Sequence, residues 1–301
     1  MQSLWMLLAC AMFAVMGALV KVATDAGATL PEIILFRGLP SVLLLYCWAR
    51  ATRRTVRPSR WRLHIWRNIS GITSMWLGFF ALSRLSLPTA ISLNYTGPLF
   101  IAGWLLFFGG VQRDLVRVLA VAAGFVGVLC VLRPSIAHDQ WIAALFGLGA
   151  GGLSAVAMMQ IRQLGRIGEP EWRTVLLFSL GASMSGVVGI GMQGWHTHDL
   201  VALLALAGLG LAGLVGQLAT TRAFGLGSTL LTAALQYMTI IFAAFIGVLF
   251  WGDHPALLAW AGMGLIIGAG LLSVWRTYSE ARVLQGTDRP NPVSTKESNP
   301  S

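Results

Sequence analysis

Ala81–Phe100, ALSRLSLPTAISLNYTGPLF, is echoed by Ala223–Phe242, AFGLGSTLLTAALQYMTIIF, at a constant offset of 142 residues. The offset pairs Ala81 with Ala223, Leu93 with Leu235, Asn94-Tyr95 with Gln236-Tyr237 and Phe100 with Phe242. A polar amide followed by tyrosine, twice in the middle of an apolar run, is not what solvation by lipid alone selects. An internal repeat on this scale implies a chain built from two related halves.

Apolar residues make up 56% of the chain and charged residues only 11%, too little charge to keep a soluble domain of this length in water. The apolar residues fall in blocks of about 20, the length that crosses a hydrocarbon core about 30 Å thick. The expected fold is an all-α membrane protein, since barrel strands would be shorter and would alternate. Ten spans can be drawn, near Ser3–Val22, Glu32–Trp48, Asn68–Ser83, Pro88–Phe108, Leu115–Leu132, Trp141–Arg162, Trp172–Met192, Leu200–Thr221, Ser228–Trp251 and Ala256–Trp275. Trp5, Trp48, Trp66, Trp141, Trp172, Trp195, Trp251 and Trp275 fall at or near span ends, as in an aromatic belt. No Lys or Arg precedes the first run, so it is expected to be a retained span and not a signal peptide. Cys10, Cys47 and Cys130 are odd in number and separated, which argues for packing residues and against a disulfide framework or metal site.

The net charge of +10 does not point to nucleic acid, because the arginines gather in loops on one side. Arg50, Arg53, Arg54, Arg57, Arg60, Arg62 and Arg67 lie between spans two and three, with Arg113, Arg117, Arg162, Arg166, Arg173, Arg222 and the C-terminal basic residues on the same side. Lys21, Arg84 and Arg133 lie opposite, and Arg37 is inside a span. The rich side is expected to be cytoplasmic, with both termini inside. Each half has an odd number of spans, so the second must enter the membrane inverted. The loops agree: the Arg-rich loop two to three is matched by Trp195-His196-Thr197-His198-Asp199, which has no Lys or Arg. An apolar pattern that repeats while its charge bias inverts is the signature of an inverted-topology carrier. The expected organisation is therefore two inverted five-helix repeats, residues 1–136 and 137–276, and a disordered cytoplasmic tail, 277–301.

Pro31-Glu32-Ile33 with Phe36-Arg37 at the start of span two, and the Ala81–Phe100 run with its Asn94-Tyr95 and Gly97-Pro98-Leu99-Phe100, resemble the EamA-type carriers of the drug/metabolite transporter superfamily. The resemblance covers the chain to about Arg276. It implies a bacterial inner-membrane secondary carrier in which spans one to four and six to nine enclose a central cavity. It further implies export of amino acids or other metabolites, with uptake of compounds such as riboflavin or S-adenosylmethionine as the alternative. The second half departs from the pattern: Pro98 is matched by Ile240 and Arg37 by Leu176.

Several residues are candidates for the substrate site. Arg37, about 9 Å into span two, suits a carboxylate or phosphate; it could equally snorkel outward or pair with Glu32 or Asp25. Asn94, Tyr95, Gln236 and Tyr237 lie near the middle of spans four and nine, where carriers of this design bind substrate; interhelical hydrogen bonding is the alternative. Trp76, Gln160 and Gln217 are weaker candidates in spans three, six and eight. Lys21 and Glu32 could form an outer vestibule, or be an interface anchor and a helix-start acid. Pro98 could hinge span four, as Pro40 could span two. Gly208, Ala212 and Gly216, and Gly264 with Gly268, have the spacing of close helix contacts, within the fold or in a homodimer. The acids and histidines fall at span ends and in loops or the tail, so a buried proton relay is not expected unless Glu32 supplies it. His196 and His198 read as solvated loop residues, not metal ligands. No cofactor is implied, and the clustered acids that a membrane-embedded transferase would need are missing.

Overall fold

The computed structural model describes residues 2–97, 99, 100, 119, 122–124, 126, 127, 130, 140–226, 235–252 and 254–287. Among these there is no strand. The helices are α1 (Gln2–Asp25), α2 (Leu30–Ala51), α3 (Trp61–Arg84), α4 (Leu87–Asn94), α5 (Trp141–Arg166), α6 (Glu171–Gln193), α7 (Leu200–Leu226), α8 (Met238–Trp251) and α9 (Leu257–Thr287).

Local sequence accounts for their ends. At α2, Pro31 falls in the first turn and the Glu32 carboxylate accepts both the backbone N–H and the hydroxyl of Thr29, each at 2.7 Å, which caps otherwise unpaired donors. Gly27, Gly168, Gly194 and Gly252 follow α1, α5, α6 and α8 with φ between 59° and 87°, the left-handed exit that favours glycine.

Leu4–Asp25, Leu30–Ala51, Trp141–Arg166, Glu171–Gln193 and Leu200–Ala223 are long and apolar enough to cross a membrane, and Met238–Trp251 and Leu257–Ala269 are shorter apolar helices. Residues such as Leu43, Leu145, Val188, Phe245 and Leu257 face outward, as a lipid-facing surface requires. Trp172 departs from the expected belt: it is buried and stands edge-on to Trp48 at 5.5 Å. Much of spans four and five, including Pro98 and the loop that joins them, lies outside the described residues. At the other end, α9 continues as helix to Thr287, past the start of the expected tail, because residues 279–285 contain no helix breaker; residues 288–301 lie outside the described set.

The main helix pairs are α1 with α7, α3 with α5, and α2 with α6. Lesser pairs are α1 with α8, α4 with α5, α2 with α7, α3 with α6 and α4 with α8. This pattern is unchanged when α1–α4 are exchanged for α5–α8. Lipid tails offer helices no hydrophobic drive to associate, so close van der Waals contact must hold them. Small residues allow it. A Cβ at Gly186 of α6 would lie 2.7 Å from the Leu35 nitrogen, and one at Gly210 of α7 would lie 2.6 Å from Pro40 Cγ. The second contact sits where Pro40 donates no hydrogen bond to the Phe36 carbonyl. Gly208 and Gly216 receive Leu19 and Phe13 of α1, while no atom of the described residues lies within 4 Å of a Cβ placed on Gly264 or Gly268 of α9.

Candidate functional site

Between the two sets of helices lies a cavity of about 150 Å³. Its walls come from α1 (Phe13, Met16), α2 (Arg37), α3 (Arg67, Ser74, Met75, Phe79), α5 (Ser154, Met158), α6 (Phe178) and α7 (Gln217). Asn94 and Tyr95 close it from one side and Gln236 from another.

These last residues lie at two interruptions of the helical backbone. The α4 helix ends at Asn94, Tyr95 and Thr96 form a turn, and helical structure resumes at Gly97. Gln236 and Tyr237 form a turn immediately before α8. Tight three-residue hydrogen bonds mark both: Thr96 N–H to Leu93 O at 3.3 Å, and Thr239 N–H to Gln236 O at 3.0 Å. Broken helices are tolerated at membrane depth only where protein or a polar cavity satisfies the freed groups. Each break is covered by the first helix of the other half. Gly97 meets the Gly151 carbonyl of α5, and Cys10 of α1 donates its S–H to Leu235 O at 3.2 Å.

The cavity holds two cations. Arg37 is buried, and its Nη2 donates to Gln217 Oε1 at 3.3 Å. It does not snorkel, and it pairs with neither Glu32 nor Asp25, which are engaged elsewhere: Asp25 accepts from Trp251 Nε1 at 3.5 Å. Arg67 is equally buried and stands 4.0 Å from the centre of the Phe178 ring.

Two carboxylates clasp the opposite ends of the α2–α6 pair. Glu32, fully buried, reaches the 194–199 loop, accepting the His196 backbone N–H at 2.9 Å and lying 3.3 Å from His198 Nε2. At the other end Glu169 accepts from Arg173 Nη1 at 3.0 Å and from the Ser59 backbone N–H at 3.3 Å, with His64 Nε2 at 3.4 Å. Arg173 also donates to Thr55 O at 2.9 Å. Burial pushes the Glu169 carboxyl up, but hydrogen bonds from Ser59 and Arg173 outweigh it and hold the group below the usual 4.5. Burial pushes His64 below its usual 6.5, although Glu169 pulls it back.

A cavity between broken helices, clasped at both ends, is the architecture of a carrier, and comparison with known proteins agrees. The EamA-like transporter family matches residues 1–133. The pseudopaline exporter CntI of Pseudomonas aeruginosa is 30% identical over 273 residues, covering 88% of this chain and 92% of that protein. The chain belongs to the EamA-like transporter family. It is thus a member of the drug/metabolite transporter superfamily, a multi-pass membrane protein of bacterial type, and its relatives are named as transporters, not enzymes. A riboflavin transporter of Rhizobium johnstonii is 29% identical over 68% of this chain and 69% of its own length. An S-adenosylmethionine uptake transporter of Rickettsia bellii is 25% identical over 84% of this chain and 85% of its own. A solved crystal structure superposes on 94% of the chain and 99% of its own with a TM-score of 0.63 at 16% identity, a likeness of fold.

In this EamA-like transporter the cavity brings together Arg37, Asn94, Tyr95, Gln217 and Gln236. Three other candidates lie elsewhere. Trp76 Nε1 donates to Ser185 Oγ at 3.1 Å, Gln160 Oε1 accepts from Ser70 at 2.8 Å, and Tyr237 is only 2% exposed within the apolar core. Of the vestibule residues, Lys21 lies over the Trp251 ring at 5.7 Å, as an interface anchor would, Glu32 is the clasp above, and Pro98 is outside the described residues. The sequence reading missed Arg67, placed with the orienting loop arginines because it stands just before the apolar run. Its position facing Gly71, one helical turn on, was the available signal. His198 is also corrected: its side chain is 2% exposed, drawn inward by Glu32.

Proposed function

We propose that this transporter is an inner-membrane secondary carrier that exports amino acids or related amphipathic compounds by alternating access around the central cavity. Its ten spans form two inverted five-helix halves, 1–136 and 137–276, with both termini in the cytoplasm. The observation that carries the reading is a polar cavity lined by both halves and flanked by two helix breaks at echoing positions. The exchange-invariant packing supports the repeat. The Glu32 and Glu169 clasps are the gates: each ties one half to the other at one end of the α2–α6 pair, and opening one while the other holds exposes the cavity to one side. Pro40 of α2, beside Gly210, is where the helix can bend. Arg37 and the amides Asn94, Gln217 and Gln236 suit carboxylate and amide groups, while Phe13, Met75 and Phe79 suit an apolar side chain.

The relatives named for uptake favour the second reading, an importer. Proteoliposomes loaded with labelled amino acids, with and without a pH gradient, test both. Efflux that Tyr95→Ala abolishes is the expected result, and flux in the inward direction alone replaces the first reading with the second. A C-terminal reporter active outside the cell overturns the ten-span topology.

A further inference from the structure

Two guanidinium groups reach the cavity, and no carboxylate among the described residues meets either. Arg37 and Arg67 are each 3% exposed. The Arg37 contact to Gln217 engages a neutral acceptor, and Arg37 Nη1 and Arg67 Nε and Nη1 have no hydrogen-bond partner among the described residues. Both stand over one ring: their guanidinium carbons are 5.9 Å and 4.0 Å from the Phe178 centroid. Glycine makes room for both. A Cβ at Gly213 would fall 2.6 Å from Arg37 Nε, and one at Gly71 would collide with Arg67 Nη1.

Cation–π contact contributes about 0.5–2 kcal/mol, whereas removing an ion from water costs several kcal/mol even after relaxation. Two like charges beside one ring add repulsion. A buried charge is normally paired, and the described cavity lining contains neither Asp nor Glu. The described residues thus supply no negative charge to match the two cations.

We propose that the transported compound is a dianion with an apolar body, a dicarboxylate or a phosphate monoester, held between Arg37 and Arg67. Guanidinium forks suit both kinds of oxyanion. The apolar body lies along Phe178 and Met75, and Gln217 fixes the Arg37 fork. This assignment rests on the reading of the cavity as the transport site, and it narrows that reading from amphipathic metabolites in general to doubly negative ones.

Isothermal titration of the full chain in detergent tests it with N-benzoyl-L-glutamate, its uncharged-side-chain analogue N-benzoyl-L-glutamine, and phenyl phosphate. A hydrogen-bonded charge contact is worth a factor of about ten or more in affinity. At least one dianion is expected to bind about tenfold tighter than N-benzoyl-L-glutamine. Arg67→Gln and Arg37→Gln should each remove that margin by weakening the dianion more than N-benzoyl-L-glutamine, whose single carboxylate can use the remaining arginine, with Arg67→Lys retaining part of it. Which dianion wins separates the carboxylate from the phosphate form. Should an arginine variant fail to fold, Gly71→Ala and Gly213→Ala keep both charges and displace them, and the same selective loss is expected. Binding of both dianions no tighter than N-benzoyl-L-glutamine in the native chain, or binding of neither dianion, overturns the proposal. Flux assays in proteoliposomes keep the two readings apart. Dianion binding without flux defeats the transport reading alone, and flux of zwitterionic amino acids without dianion binding defeats the charge assignment alone.

Discussion

At Asn94-Tyr95 both side chains border the cavity; at Gln236-Tyr237 the amide does and the tyrosine turns into the apolar core. The two breaks have similar backbones, and each is covered by the first helix of the other half. What differs is the neighbourhood. Tyr237 is enclosed and its hydroxyl has no hydrogen-bond partner among the described residues, whereas Tyr95 stays half-buried at the cavity wall. The same inequality runs through the charges: Arg37 enters the cavity, and its sequence counterpart Leu176 is buried against Trp172 and Leu45. The site is thus asymmetric, with the cations contributed by α2 and α3 and the neutral amides and Phe178 largely by the chain after residue 140.

The most severe way to break this comparison is to make the halves chemically equal. Leu176→Arg places a charge where no cavity receives it and should cost about 3–5 kcal/mol, read as a collapse in the yield and thermal midpoint of the detergent-solubilised protein. A stable, folded variant would mean that the second half has a polar pocket of its own. The tyrosines come next. Tyr237→Ala should lower stability by about 3 kcal/mol through the void it leaves, while Tyr95→Ala, at a residue half-buried against the same core, should abolish flux and lower the thermal midpoint less. The pair Tyr237→Phe and Tyr95→Phe sharpens the contrast, since deleting an unpartnered buried hydroxyl is neutral or stabilising. Equal loss of flux from both phenylalanine variants would restore the symmetry that the cavity denies.

The smallest effect concerns the clasps. His64 and Glu169 both sit below their usual pKa values in the folded chain, so the fold binds protons less readily than the unfolded chain does. The stability they contribute is present at neutral pH, begins to fall as pH drops below the usual histidine value of 6.5, and falls further below the usual carboxylate value of 4.5. A thermal midpoint that declines with acidification in the native chain and, below the usual carboxylate value of 4.5, less steeply in Glu169→Gln is the expected result. An identical slope in both would show that this clasp does not carry the pH dependence.

The cavity was legible in sequence where the echo pointed to it. Asn94, Tyr95 and Gln236 were named from matched polar pairs in apolar runs, and Gln217 from a lone amide in a span. Tyr237 was drawn in by the same echo and lies outside the cavity, because residue type and depth repeat while helix rotation does not. Arg67 was hidden by its setting, since a basic residue beside a basic loop looks like an orienting charge until the helix that carries it is packed. The clasps were half legible. Pro31-Glu32 marked a helix start in the sequence, but the second clasp's buried acid is Glu169, just before Pro170 and α6.

Sequence alone determined that this chain is a helical membrane protein, because blocks of about 20 apolar residues have one way to satisfy their backbone in lipid. Tertiary structure alone decided which polar side chains share the cavity. A helix presents a new face every residue, so a one-residue difference in register turns Tyr237 into the core, and a glycine at position 71 or 213 decides whether a guanidinium can fold inward.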